Sequence, residues 1–110
     1  MAVVPALEEA VAEAVGEQVV HPGVSALRYL PGQLFAPHRD RSANYPNRLY
    51  TSVVEVQSAP GARLELLDGW DGLISLAEGD LVIFDSGIMH EATPPLSGER
   101  ISLVTWWSKP

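Results

Sequence analysis

The chain has 110 residues, no cysteine and a formal net charge of −7. That length supports one domain with a single modest core. The acidic balance disfavours binding along a phosphate backbone, the lack of cysteine excludes disulfides and thiolate metal sites, and no apolar run reaches the roughly 20 residues of a membrane span. The N-terminus has neither a basic region nor an apolar leader, so the expectation is a cytoplasmic protein with no nucleic-acid and no membrane partner.

Residues 5–15 read as a short amphipathic helix. Pro5 suits a first turn, Glu8 and Glu9 suit the positive end, and Gly16 suits a stop. Leu7, Val11 and Val15 recur every fourth residue and form one apolar stripe, so the helix is expected to pack on the outside of a sheet. His21-Pro22-Gly23 reads as a turn, with His21 at the surface. Six short segments rich in branched and aromatic residues follow: 24–30, 49–57, 63–67, 73–76, 81–84 and 100–107. Turn signals separate them at Pro31-Gly32, Ala59-Pro60-Gly61, Asp68 to Gly72, Glu78-Gly79-Asp80 and Pro94 to Gly98. One helix before many short strands predicts a mainly β fold, a double-sheet jelly roll in one domain spanning 1–110, with its core at about 24–107. The polar stretch from Arg41 to Arg48 reads as a mobile loop.

The most specific pattern is His38-Arg39-Asp40 with His90 far downstream. On a strand, side chains alternate with period two, so His38 and Asp40 share a face and Arg39 points away. A second imidazole from a distant strand completes two histidines and one carboxylate. Three ligands on one face of an octahedral ion leave positions open, the facial arrangement that suits iron(II) and oxygen chemistry. Burying an aspartate without a partner is costly, and a cation offsets that cost.

The words around these residues extend the pattern. They are Tyr29 to Asp40 ("YLPGQLFAPHRD"), Glu78 to Glu91 ("EGDLVIFDSGIMHE"), Ser97-Gly98-Glu99-Arg100 and Thr105-Trp106-Trp107. From about Ala26 to Trp107 the chain resembles the prolyl-4-hydroxylase-like branch of the iron(II)/2-oxoglutarate-dependent dioxygenases. The resemblance implies a double-stranded β-helix of cupin type. It also implies iron(II) held by His38, Asp40 and His90, 2-oxoglutarate as co-substrate, and molecular oxygen. It implies hydroxylation of an unactivated carbon in a small-molecule or peptidyl substrate, with release of succinate and carbon dioxide. By the same resemblance, Arg100 pairs with the distal carboxylate of 2-oxoglutarate, a task suited to a planar guanidinium in a dry pocket. Tyr29 matches a tyrosine that helps hold the co-substrate, and Trp106 closes the inner wall.

One position departs from the family. Where relatives carry a tyrosine facing the co-substrate, this chain has Glu55, in the segment Thr51 to Gln57. Alternation turns Thr51, Val53 and Glu55 to the pocket and Ser52, Val54 and Val56 outward. Glu55 then pairs with Arg100 in competition with 2-oxoglutarate, or binds a cationic substrate, or is turned to water by a bulge. Two other readings stay open: a non-catalytic metal-binding jelly-roll module or assembly subunit, and a cupin-type metalloenzyme that does not use 2-oxoglutarate. Relatives also carry elements ahead of the segment that begins here. An apolar patch to which Trp70 and Trp107 contribute is therefore expected, covered by a homodimer or a partner subunit. Substrate recognition is expected from Arg41 to Arg48, from the turn Asp68 to Gly72, or from that partner.

Overall fold

The computed structural model describes residues 3–68 and 72–110. Helix α1 (Val3–Val15) precedes eight strands: β1 (Ser25–Tyr29), β2 (Phe35–His38), β3 (Tyr50–Gln57), β4 (Leu64–Leu66), β5 (Gly72–Ile74), β6 (Leu81–Asp85), β7 (His90–Ala92) and β8 (Arg100–Trp107). They form two four-stranded antiparallel sheets, ordered β1-β8-β3-β6 and β2-β7-β4-β5. This is the double-sheet jelly roll expected from the run of short strands.

The helix begins earlier than expected, so Pro5 lies in its first turn while Glu8 and Glu9 fall in the second, away from the N-terminal amides. It ends at Gly16, which adopts φ 75° and donates to the Ala12 carbonyl at 2.9 Å. A left-handed residue after the last turn is the usual place for glycine. The stripe of Leu7 and Val11 is buried against Trp107, with Val15, Val19, Val54 and Ile83 around it. Trp107 is therefore no part of an exposed patch: it is fully buried, and its indole N–H donates to Ser52 Oγ at 2.9 Å. His21 is also more enclosed than a surface residue. Its ring meets Trp107 edge-on at 4.8 Å and bonds Glu8 at 2.9 Å. Trp70 lies outside the described residues, as do Gly69 and Asp71 of the expected turn.

The second core lies between the sheets. Val53, Phe84 and Val104 from one sheet meet Leu64 and Leu66 from the other. Period-two alternation along β8 sends Trp107 toward α1 and Arg100, Ser102, Val104 and Trp106 into the space between the sheets.

β2 and β7 fall outside the six apolar segments. They have four and three residues, and β2 includes Pro37, which a strand tolerates at a sheet edge. The ladder between them shifts register between Phe35 and His38. The strand stops at His38, so strand alternation does not set the placement of Asp40. Asp40 sits in the bend beyond, where its amide and that of Arg41 both donate to the Ser86 carbonyl, at 3.0 and 2.8 Å.

Candidate active site

Three elements bring the metal-type side chains together: the end of β2 supplies His38, the bend after it Asp40, and the start of β7 His90. Their candidate ligand atoms all lie within 4.8 Å of one another. His38 Nε2 is 3.3 Å from Asp40 Oδ1, and His90 Nε2 is 3.3 Å from Asp40 Oδ2. Asp40 and His90 are buried, whereas the His38 side chain is 27% exposed, so the cluster opens to solvent on the His38 side.

The outer partners fix the tautomers. His38 Nδ1 lies 2.6 Å from the Ala36 carbonyl and His90 Nδ1 lies 2.8 Å from the Ile88 carbonyl. A carbonyl only accepts, so each Nδ1 carries the proton and each Nε2 turns a lone pair toward Asp40. Two imidazole lone pairs facing one carboxylate require a cation among them. Without a metal, a proton serves. Burial disfavours charge on His90, but hydrogen bonding to Asp40 and to Ile88 outweighs it and raises the His90 pKa. Burial likewise opposes ionisation of Asp40, and bonds from His90 and Thr51 outweigh it, holding the carboxyl below its usual range. The donor set fits a divalent metal of the imidazole-and-carboxylate type.

Thr51 on β3, not assigned a role from the sequence, completes this arrangement. It is fully buried, donates from Oγ1 to Asp40 Oδ2 at 2.7 Å, and accepts from Ser86 Oγ at 2.8 Å. Phe35 stacks on His38 with centroids 4.0 Å apart, and Phe84 meets His90 edge-on at 4.8 Å.

Behind the cluster lies a cavity of about 50 Å³, walled by Leu27, Val53, Leu64 and Val104 and bearing Tyr29, Arg100, Ser102 and Trp106. Tyr29 lies beside Arg100, with the guanidinium carbon 5.4 Å from the ring centre. Burial raises the Tyr29 pKa against the opposing pull of Arg100, so the hydroxyl stays a donor at neutral pH. Ser102 Oγ is buried without a hydrogen-bond partner, and Trp106 Nε1, without a full hydrogen bond, leans toward Asp40 and helps hold its carboxyl low. An orphaned hydroxyl beside a buried guanidinium, among apolar walls, calls for a polar guest. Glu55 turns inward, despite a register shift between Glu55 and Gln57, and bonds Arg100 Nε through Oε1 at 2.9 Å and Oε2 at 3.3 Å. Of the three outcomes open for Glu55, the geometry is that of the ion pair with Arg100.

Beyond Trp106 is a more open groove of about 300 Å³, lined by Asn44, Tyr45, Asn47 and Arg48. The Arg48 guanidinium is held between the rings of Tyr45 and Trp106, at 3.8 and 4.0 Å. Trp106 thus forms the wall shared by cavity and groove. Arg48 was visible in the sequence only as one end of a polar loop.

The fold and cluster together define a double-stranded β-helix with an open two-histidine, one-carboxylate centre. Residues 24–108 match the family model described as the 2OG-Fe(II) oxygenase superfamily, and the chain belongs to that family. Membership implies iron(II), 2-oxoglutarate and oxygen as the reactive partners, and an oxidoreductase chemistry. A PKHD-type hydroxylase of Maricaulis maris is 34% identical over 87 residues, 72% of this chain and 38% of that protein. One from Shewanella baltica is 31% identical over 88 residues, 72% of this chain and 39% of that protein. The chain thus spans about two fifths of the length of the curated relatives it matches. A Pseudomonas putida prolyl-4-hydroxylase structure superposes with a TM-score of 0.73 at 26% identity, covering 99% of this chain and 64% of that one. A viral collagen prolyl hydroxylase from Paramecium bursaria Chlorella virus 1, solved with 2-oxoglutarate, reaches a TM-score of 0.81 at 20% identity. That superposition covers 100% of this chain and 74% of the viral one.

Proposed function

We propose that the chain is an iron(II)/2-oxoglutarate-dependent hydroxylase acting on a small-molecule or peptidyl substrate. One observation carries the reading: His38, Asp40 and His90 converge at the mouth of a cavity whose inner end holds a buried arginine. In this reading His38 Nε2, His90 Nε2 and an Asp40 oxygen are the iron ligands, and Arg100, Tyr29 and Trp106 line the co-substrate site. Bound iron(II) supplies oxygen activation, in which oxidative decarboxylation of 2-oxoglutarate to succinate and carbon dioxide is coupled to hydroxylation of an unactivated carbon.

The remaining work belongs to the protein. Ala36 and Ile88 hold both imidazoles in the ligating tautomer. Thr51 and Ser86 hold the Asp40 carboxylate against rotation. Arg100 offers a planar fork to the distal carboxylate of the co-substrate, and the Tyr29 hydroxyl and Ser102 Oγ supply further donors. The apolar walls exclude water, which strengthens each of these bonds. The substrate approaches over Trp106, along the groove bearing Tyr45 and Arg48. A second subunit or partner covering the exposed Leu34, Phe35 and Leu73 belongs to the same proposal.

The test is an anaerobic titration of the iron(II)-loaded protein with 2-oxoglutarate, followed through the weak visible charge-transfer band of the chelate. The band is expected in the wild type and lost in Arg100→Ala, and His38→Ala is expected to lose iron itself. Iron binding without a band overturns the co-substrate assignment.

A further inference from the structure

Arg100 and Glu55 form an ion pair closed on both sides, with side chains 4% and 2% exposed. Both Glu55 oxygens sit on one edge of the guanidinium, at 2.9 and 3.3 Å from Nε. Ser58 Oγ lies 3.3 Å from Glu55 Oε2, but its single proton is shared with the Leu76 carbonyl at 2.9 Å, so Arg100 is the main partner of the carboxylate. Among the described residues no hydrogen bond reaches Nη1 or Nη2 of Arg100. Arg100 lines the cavity, as does Ser102, whose buried hydroxyl is also without a partner. Glu55 and Ser102 are cross-strand partners in the β3–β8 ladder, so the acid stands behind the hydroxyl and guanidinium that line the cavity.

A guanidinium carries five N–H donors in a fixed planar fork. A carboxylate on the Nε edge leaves the end-on fork of Nη1 and Nη2 for a second guest. That guest meets an arginine whose charge is already balanced. A second carboxylate there also lies close to the first in a poorly screened cavity, where like charges disfavour each other strongly. A neutral chain end meets no such opposition.

We infer that Glu55 sets co-substrate specificity. It holds Arg100 by the Nε edge, balances its charge, and leaves the Nη fork to the distal end of a 2-oxo acid with a weakened preference for a carboxylate there. This rests on the co-substrate reading above. Glu55 is a positioning and specificity residue and takes no part in the reaction itself.

The experiment uses the full chain loaded with manganese(II), without oxygen, and reads binding by calorimetry. Two probes are titrated: 2-oxoglutarate, and 2-oxopentanoate, the same keto acid with a methyl group in place of the distal carboxylate. Glu55→Gln keeps an oxygen acceptor for Nε and the side-chain shape, and removes only the charge. It is expected to raise the ratio of the two dissociation constants by about tenfold or more in favour of 2-oxoglutarate, the scale of a close charge pair. General destabilisation weakens both probes together and leaves the ratio in place. Glu55→Tyr, which also removes the charge, is expected to move the ratio the same way and serves if the glutamine variant does not fold. A ratio that is unchanged, lowered or raised less than this overturns the role of Glu55. Failure of both keto acids to bind either form, with manganese held, overturns the co-substrate reading itself.

Discussion

Arg39, which separates His38 from Asp40 in the chain, turns away from both and closes an ion pair on Asp68. The same carboxylate accepts the Met89 amide at 2.9 Å, while Arg39 Nη1 donates to the Gly87 carbonyl at 2.5 Å. Asp68 therefore grips the neighbour of each histidine and ties the end of β2 to the start of β7. The Asp68 pKa is lowered chiefly by the bond from Arg39, with the Met89 amide adding to it. Asp68→Ala is expected to lower iron(II) affinity by about tenfold with the fold retained, the scale seen for groups that orient metal ligands. A competitive chelator titration measures it. Unchanged affinity removes Asp68 from the support of the site.

Thr51 links the metal cluster to the central strand β3. Thr51→Val leaves an oxygen of the buried Asp40 and the Ser86 hydroxyl without this partner, so a loss of about 1–3 kcal/mol in urea unfolding is expected. Thr51→Ser keeps the hydroxyl and is expected to retain metal affinity close to wild type. Equal loss in both variants, by the same chelator titration, assigns the effect to packing instead of the bond.

Helix and cavity lie on opposite faces of the β1-β8-β3-β6 sheet. Leu7→Ala opens a void against Trp107 and is expected to cost about 2–4 kcal/mol. Metal affinity at temperatures where the variant is folded is expected to be unchanged. A parallel fall in metal affinity would show that α1 supports the site through the sheet.

Glu65 and Glu91 stand directly opposite each other on β4 and β7. The bond between their carboxyls, with burial and repulsion adding to it, raises the Glu91 pKa above its ordinary 4.5. A raised carboxyl contributes stability that is fully present below the unfolded pKa and is lost as pH rises through the folded one. Glu91→Gln is therefore expected to raise Tm at pH 7 by about 2 °C and to leave it unchanged at about pH 3. Thermal scans of the metal-free protein at both values test the sign.

The legibility of the chain follows from what each element buries. β3 and β8 are central and eight residues long, so strand geometry assigns their two faces and the inward set Arg100, Ser102, Val104 and Trp106, although both faces are covered and burial itself does not alternate cleanly. β2 and β7 are too short and too polar to show a hydrophobic period, although they supply both histidines. Asp40 is aimed by a bend held on the Ser86 carbonyl, a contact across 46 positions that no local pattern reports. Alternation gives the face of Trp107 but not its cover, and the cover is α1, so the expected exposed patch does not form there. The Arg39–Asp68 pair and the stacking of Arg48 likewise depend on loops that meet only in the folded chain. Glu55 was legible as a departure, while the edge of Arg100 that it takes was not.

The strict alternation of β8 also constrains how this chain can change length. A single inserted or deleted residue beyond Arg100 would exchange the two faces of the strand from that point onward. Trp107 would swing into the cavity, and Trp106 would turn toward the helix. Neither neighbour could follow, because β1 and β3 are paired to β8 on its two sides. Variation in length is thus absorbed most readily in the turns, such as Pro94 to Gly98, or by a bulge like the one that shifts the β3–β8 register between Glu55 and Gln57.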